Sequence, residues 1–164
     1  MNGCQVIETA LTSTQQIVPW YLSDLSDADL LVRPVPGANH IAWQLGHLIA
    51  SEIRLVRGQL PDAAYPELPA GFSEQHDNKT AAQDPPQGFS SKQQYIDLFN
   101  RIREATKAVA AKLSEADLNR PTKGDVAKFA PTLGALFLLV SNHTLMHAGQ
   151  FTVVRRKLGK PILF

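Results

Sequence analysis

The chain has 164 residues, 44% of them hydrophobic, a size that suits a single domain over 1–164 with a core large enough to need no covalent staples. Sixteen basic residues against fifteen acidic ones leave a formal charge of +1, so the strong positive excess of a nucleic-acid-binding protein is missing. Cys4, the only cysteine, excludes an internal disulfide framework and any cysteine-based zinc site, and it fits a reducing, cytoplasmic setting.

Four long helical patterns run along the chain, which points to an all-α fold built as a four-helix bundle. Met1 to Ala10 lack the basic-then-apolar order of a secretory leader, and the first helix is expected from about Gln5 to Leu22. Ser26 to Leu30, with a serine cap and nearby acids, predicts a short extra turn before Pro34-Val35-Pro36-Gly37 breaks the chain. Asn39 is the expected cap of a second helix, Ile41 to Val56, which stops near Gly58 and Pro61. Residues 59–87 are polar and contain five prolines, as befits a long crossover or flap rather than a tight hairpin.

The third long helix is expected over Ser91 to Leu113, with Tyr95, Leu98, Ile102, Ala105 and Val109 on one face. Ser114 to Leu118 repeats the short capped turn of Ser26 to Leu30. The fourth opens after Pro131 with Thr132 as cap and ends at Gly159-Lys160-Pro161, its last turns carrying Arg155, Arg156 and Lys157 as solvated partners of the helix dipole. No apolar run approaches the roughly 20 residues needed to cross a bilayer, so a membrane is not an expected partner.

His143 and His147 are the main chemical signal. A separation of four places both imidazoles on one helix face, one turn apart. At about 100° per residue they share a stripe roughly 80° wide with Leu136, Val140, Phe151, Val154 and Leu158, so both point inward. Two imidazoles in a dry core are costly to protonate together, and neutral imidazoles are good ligands for zinc, nickel or iron. A hydrogen-bonded structural pair is the competing reading. A third ligand would decide between the two.

His40, His47 and His76 remain for that role, and His47 is the first choice because it lies in the middle of a helix. Periodicity runs against it. Ile41, Leu45, Leu48 and Leu55 centre the apolar face of the second helix, while His47 projects roughly 120° away beside His40, Gln44 and Ser51, which hydropathy alone would leave in solvent.

The segments Gly37-Ala38-Asn39-His40-Ile41-Ala42-Trp43-Gln44-Leu45-Gly46-His47-Leu48, Pro131-Thr132-Leu133-Gly134 and His143 to Gln150, with the ending Arg155-Arg156-Lys157-Leu158-Gly159, resemble the DinB-like superfamily (DinB/YfiT-like) in helix order over most of the chain. The resemblance implies a four-helix bundle with a long crossover between the second and third helices. It also implies a divalent metal held by His47, His143 and His147, an open coordination position, and a homodimer. Family members of known activity include S-transferases and isomerases that use low-molecular-weight thiols.

Such a site would ease deprotonation of a bound thiol or water, so a small thiol attacking an electrophilic small-molecule substrate is the leading expectation. A non-catalytic binding or regulatory bundle, or a hydrolase activating water on the metal, are the alternatives. Glu52, on the apolar stripe of Leu45, Leu48 and Leu55, is a candidate for orienting a histidine or moving a proton, or else for an ion pair with Arg54 or Arg57. Gln150, one turn after His147, is a candidate hydrogen-bond donor to ligand or substrate. Trp43 and Tyr95 are expected as walls of core or cleft. Thr144 stands where a metalloprotease carries its glutamate, and the Glu-x-x-His pairs of di-iron bundles are missing, so a single metal without peptidase chemistry is expected.

Overall fold

The structure, a computed structural model, describes residues 1–163. Its helices are α1 (Gly3–Leu22), α2 (Ile41–Arg57), α3 (Phe72–Gln75), α4 (Lys92–Ala110), α5 (Glu115–Leu118) and α6 (Leu133–Lys157). The four long ones form the bundle: α1 packs on α6 and α4, and α2 packs on the same two, so α1 lies opposite α2. The long crossover joins the second and third long helices, with α3 within it folded back onto α2. No helix among the described residues is long and apolar enough to cross a membrane.

Side-chain caps set where the helices begin. Asn2 and Gln5 form a reciprocal box that starts α1 two residues before the expected position, and Ser91 with Gln94 does the same for α4. Thr132 caps α6, its hydroxyl accepting from Ala135 N–H. The cap of α2 is His40 rather than Asn39: its Nδ1 accepts from Trp43 N–H at 3.2 Å, while the Asn39 carbonyl accepts from the Gln44 side chain. Both short turns form as expected, with Ser26 and Asp29, and Ser114 and Asp117, exchanging hydrogen bonds.

Leu11, Leu22, Leu45, Ile49, Phe99, Ile102, Phe137 and Phe151 fill the space between the helices. In their midst Arg103 is wholly buried. Its Nε and Nη2 donate to the Glu52 carboxylate at 3.0 and 2.9 Å, Nη1 to the Leu11 carbonyl and Thr14 hydroxyl, and Nη2 also to the Thr144 hydroxyl. All five guanidinium N–H groups are thereby used, and one side chain on α4 ties down α1, α2 and α6. Glu52 thus pairs with Arg103, not with Arg54 or Arg57.

Arg155 likewise departs from the solvated position expected at the helix end. It is buried and ion-paired with Asp24, donating as well to the carbonyls of Tyr21 and Pro161, so it anchors the loop after α1 and the C-terminal segment instead of being solvated at the helix end.

Removing one member of a buried ion pair leaves the other charge without compensation, so Arg103→Leu is expected to cost about 3–5 kcal/mol of unfolding free energy in urea denaturation. Replacing both partners, Glu52→Leu with Arg103→Leu, is expected to recover much of that loss.

Candidate metal centre

His47 on α2 and His143 and His147 on α6 come together although 96 residues separate the first from the second in sequence. One nitrogen from each lies within 4.8 Å of the others. The Nε2 atoms of His143 and His147 are 3.2 Å apart. That matches the edge of about 3.3 Å between two imidazole nitrogens sharing a tetrahedral zinc at 2.0–2.1 Å.

Two of the rings are held from behind. His147 donates Nδ1–H to Gln44 Oε1 at 2.8 Å, which leaves the Nε2 lone pair facing His143. Gln44 is itself fixed by donating to the Asn39 carbonyl. The indole of Trp43 stacks on the His47 ring, centroids 4.8 Å apart and planes within 15°, and the Ser51 hydroxyl lies 3.5 Å from His47 Nε2.

Burial keeps the rings neutral. It pulls His147 from its ordinary value near 6.5 down to about 3 and His143 down to about 4, and the neighbouring imidazoles add to both shifts. His47 is lowered as well, chiefly by desolvation, against an opposing hydrogen bond to the backbone of His76. Neutral imidazoles are the protonation state that a metal requires. Donor type and charge state therefore fit a divalent cation held by three imidazoles, and the His143–His147 spacing fits as it stands, with His47 the ring that completes the set from within 4.8 Å.

The other two histidines are committed elsewhere. His40 caps α2, and both nitrogens of the buried His76 are used, Nδ1 donating to the Phe72 carbonyl and Nε2 accepting from the Tyr95 hydroxyl. His76 still shapes the centre. Its ring lies directly on the backbone of α2 at Gly46, where an added Cβ would fall 2.1 Å from a ring carbon, so only glycine permits this approach beside His47.

Glu52 and Gln150, the two catalytic candidates from sequence, do not join the histidines. Both Glu52 oxygens accept from Arg103, and Gln150 is exposed on the outer face of α6. The glutamine that does hold a histidine is Gln44. Its place on the same stripe as His47 and Ser51 was the available signal, a polar face on a helix whose side chains are buried nearly all round. A cleft of about 250 Å³ opens beside His47, with His47, Ser51 and Arg54 of α2 on one wall and Ser73, His76, Asp77 and Asn78 of the crossover on the other.

The model of the DinB superfamily matches residues 10–151. This chain belongs to that superfamily. No curated protein matches it. Among solved structures it is similar to a conserved protein from Enterococcus faecalis, at 18% identity and a TM-score of 0.71 over 98% of this chain and 99% of that one. It is also similar to YfiT from Bacillus subtilis, described as a probable metal-dependent hydrolase with an unusual four-helix bundle topology, at 16% identity and a TM-score of 0.67 over 96% of this chain and 89% of that one. At these identities the two structures establish the shared fold.

Gln44→Leu removes the acceptor behind His147 and is expected to weaken metal binding about 10–100-fold in a competitive chelator titration, with helical content retained. Metal-free protein is expected to lose stability as pH falls. The rings are neutral when folded, with His40 also held down to about 4 by burial and by Arg33, whereas unfolded histidines take up protons near 6.5. Stability is then complete above pH 6.5 and declines between 6.5 and about 3, as urea midpoints measured across that range would show.

Proposed function

We propose that this protein is a divalent-metal-dependent enzyme whose three-histidine centre activates a low-molecular-weight thiol for transfer to, or isomerisation of, a small electrophilic substrate in the cleft beside His47. The observation that carries the reading is the convergence of His47, His143 and His147, all neutral, with the His147 tautomer set by Gln44. A bound cation would supply Lewis acidity, easing loss of a proton from a thiol or water near neutral pH without contributing a charged protein ligand. Zinc, nickel and iron all suit three imidazoles.

The chain's own residues have separable parts in this scheme. His143 and His147 present their nitrogens from one rigid helix, and His47 completes the set from the facing helix. Trp43 and Gln44 restrict ring rotation, so little reorganisation is needed on binding. Ser51, between His47 and the cleft, offers a hydroxyl that can give or take a hydrogen bond at the reacting group. Cys4 lies at the far N-terminus of α1 on the Leu113 carbonyl and has no part in the scheme.

Metal-dependent hydrolysis is the second reading. It is supported by the likeness to YfiT and by the Asp77 carboxylate in the cleft, the type of group that can accept a proton from water.

Elemental analysis of untagged protein is expected to find one divalent cation per chain, and His47→Ala and His147→Ala are each expected to lose it. Stoichiometric metal retained in both variants would overturn the ligand set. With metal bound, product formation that requires added thiol supports the transferase, whereas turnover without thiol supports the hydrolase.

A further inference from the structure

Arg54 is an arginine in the cleft without a carboxylate. Arg33, Arg103, Arg120 and Arg155 each have an acidic partner, Arg57 lies over the Tyr65 ring and donates to the Ala63 carbonyl, and Arg101 and Arg156, without an ion pair among the described residues, line other parts of the surface. Arg54, two turns beyond His47 on α2, is exposed and donates only to the Ser51 hydroxyl, at 3.4 Å, among the described residues. That hydroxyl is also 3.5 Å from His47 Nε2, so guanidinium, hydroxyl and imidazole run in sequence along one wall. Arg54 is close enough for its charge to disfavour protonation of both His47 and His143.

The facing wall carries the opposite charge. One oxygen of Asp77 accepts from Lys79 N–H, and the carboxylate has no cationic partner within ion-pair distance among the described residues, while its charge is felt at His47. Ser73 and Asn78 flank it with neutral polar groups. A simple anion in this cleft would be attracted by Arg54 and repelled by Asp77, and a simple cation would meet the reverse. A molecule carrying both a carboxylate and a protonated amine satisfies both walls. The cleft's volume, about eight times a water's share of roughly 30 Å³, suits a molecule of amino-acid size.

The geometry points to Arg54 and Ser51 as a carboxylate subsite and to Asp77 as the subsite for an amino group of the same ligand, making small α-amino acids whose side chain carries the electrophilic centre the substrate class. This deepens the proposed function by naming what the cleft holds next to the histidines, and it rests on that reading only for the chemistry that follows binding. Bidentate pairing of a guanidinium with a carboxylate needs no metal.

Isothermal titration calorimetry with L-serine and with ethanolamine, its counterpart lacking the carboxylate, tests the assignment on chelator-stripped and on metal-loaded full-length protein. L-serine is expected to bind both forms, and ethanolamine at least tenfold more weakly. Arg54→Gln and Asp77→Asn, with unchanged circular dichroism and metal content, are each expected to lower L-serine affinity at least tenfold. Wild-type affinity in Arg54→Gln, or no binding of L-serine to wild-type protein, overturns the proposal, and wild-type affinity in Asp77→Asn overturns its amino-group half. Protein that binds L-serine through Arg54 yet holds no metal would overturn the proposed function alone, and protein that holds metal yet binds no L-serine would do the reverse.

Discussion

One arginine organises this bundle. Arg103 contributes a full charge to the interior, where an ion without compensation would cost several kcal/mol. Its compensation comes from all three other long helices: the Glu52 carboxylate of α2, the Leu11 carbonyl and Thr14 hydroxyl of α1, and the Thr144 hydroxyl of α6. Apolar packing is tolerant of small sliding motions, but a five-donor fork with fixed directions is not. The two helices that carry the histidines are thus set against one another through a third. Thr144 is the immediate neighbour of His143, and Glu52 lies five residues beyond His47, so the register imposed by Arg103 is transmitted directly to the ring positions.

Around the centre the same logic recurs at smaller scale. A histidine that only had to fill space could adopt several rotamers, yet His147 is fixed by Gln44, and Gln44 in turn by the Asn39 carbonyl at the start of α2. His47 is confined by the Trp43 indole on one side and by the crossover on the other. The crossover reaches this position because Gly46 presents bare backbone to the His76 ring, and because Phe72 and Tyr95 accommodate both His76 nitrogens. Residues 59–87 are therefore a structural wall of the cleft.

The bundle was largely legible from periodicity, since helices built on Leu, Ile and Phe at spacings of three and four declare their buried faces, and Ser91, Ser114 and Thr132 mark their starts. The pair His143 and His147 was legible for the same reason, sitting inside an apolar stripe. His47 was not legible from hydropathy alone, because the face that it shares with Gln44 and Ser51 is polar, and polar faces ordinarily point to solvent. What buries that face is α6 together with the crossover, contacts made over long sequence separations that local pattern cannot register. The mid-helix position of His47 makes it a candidate, and the likeness to the DinB-like superfamily carries it over the unfavourable hydropathy. Glu52 illustrates the opposite case: its burial was readable from its stripe, but the partner that explains the burial lies 51 residues away on another helix.

That separation between Glu52 and the histidines has a chemical consequence. A carboxylate whose two oxygens both accept from Arg103 is committed away from the imidazoles. The centre is left with three neutral imidazoles as its donors, and the Asp77 carboxylate across the cleft is the anionic group whose charge is felt at His47. Arg54 and Asp77 stand on the two walls of the cleft, outside the ring of histidines. The arrangement divides labour between layers: a deep ion pair sets the helices, uncharged side chains set the rings, and charged side chains at the opening select what enters. Such a division lets the cleft residues vary in chemistry while the buried layers keep the histidines in place, because no hydrogen bond of the Arg103 network passes through Arg54 or Asp77.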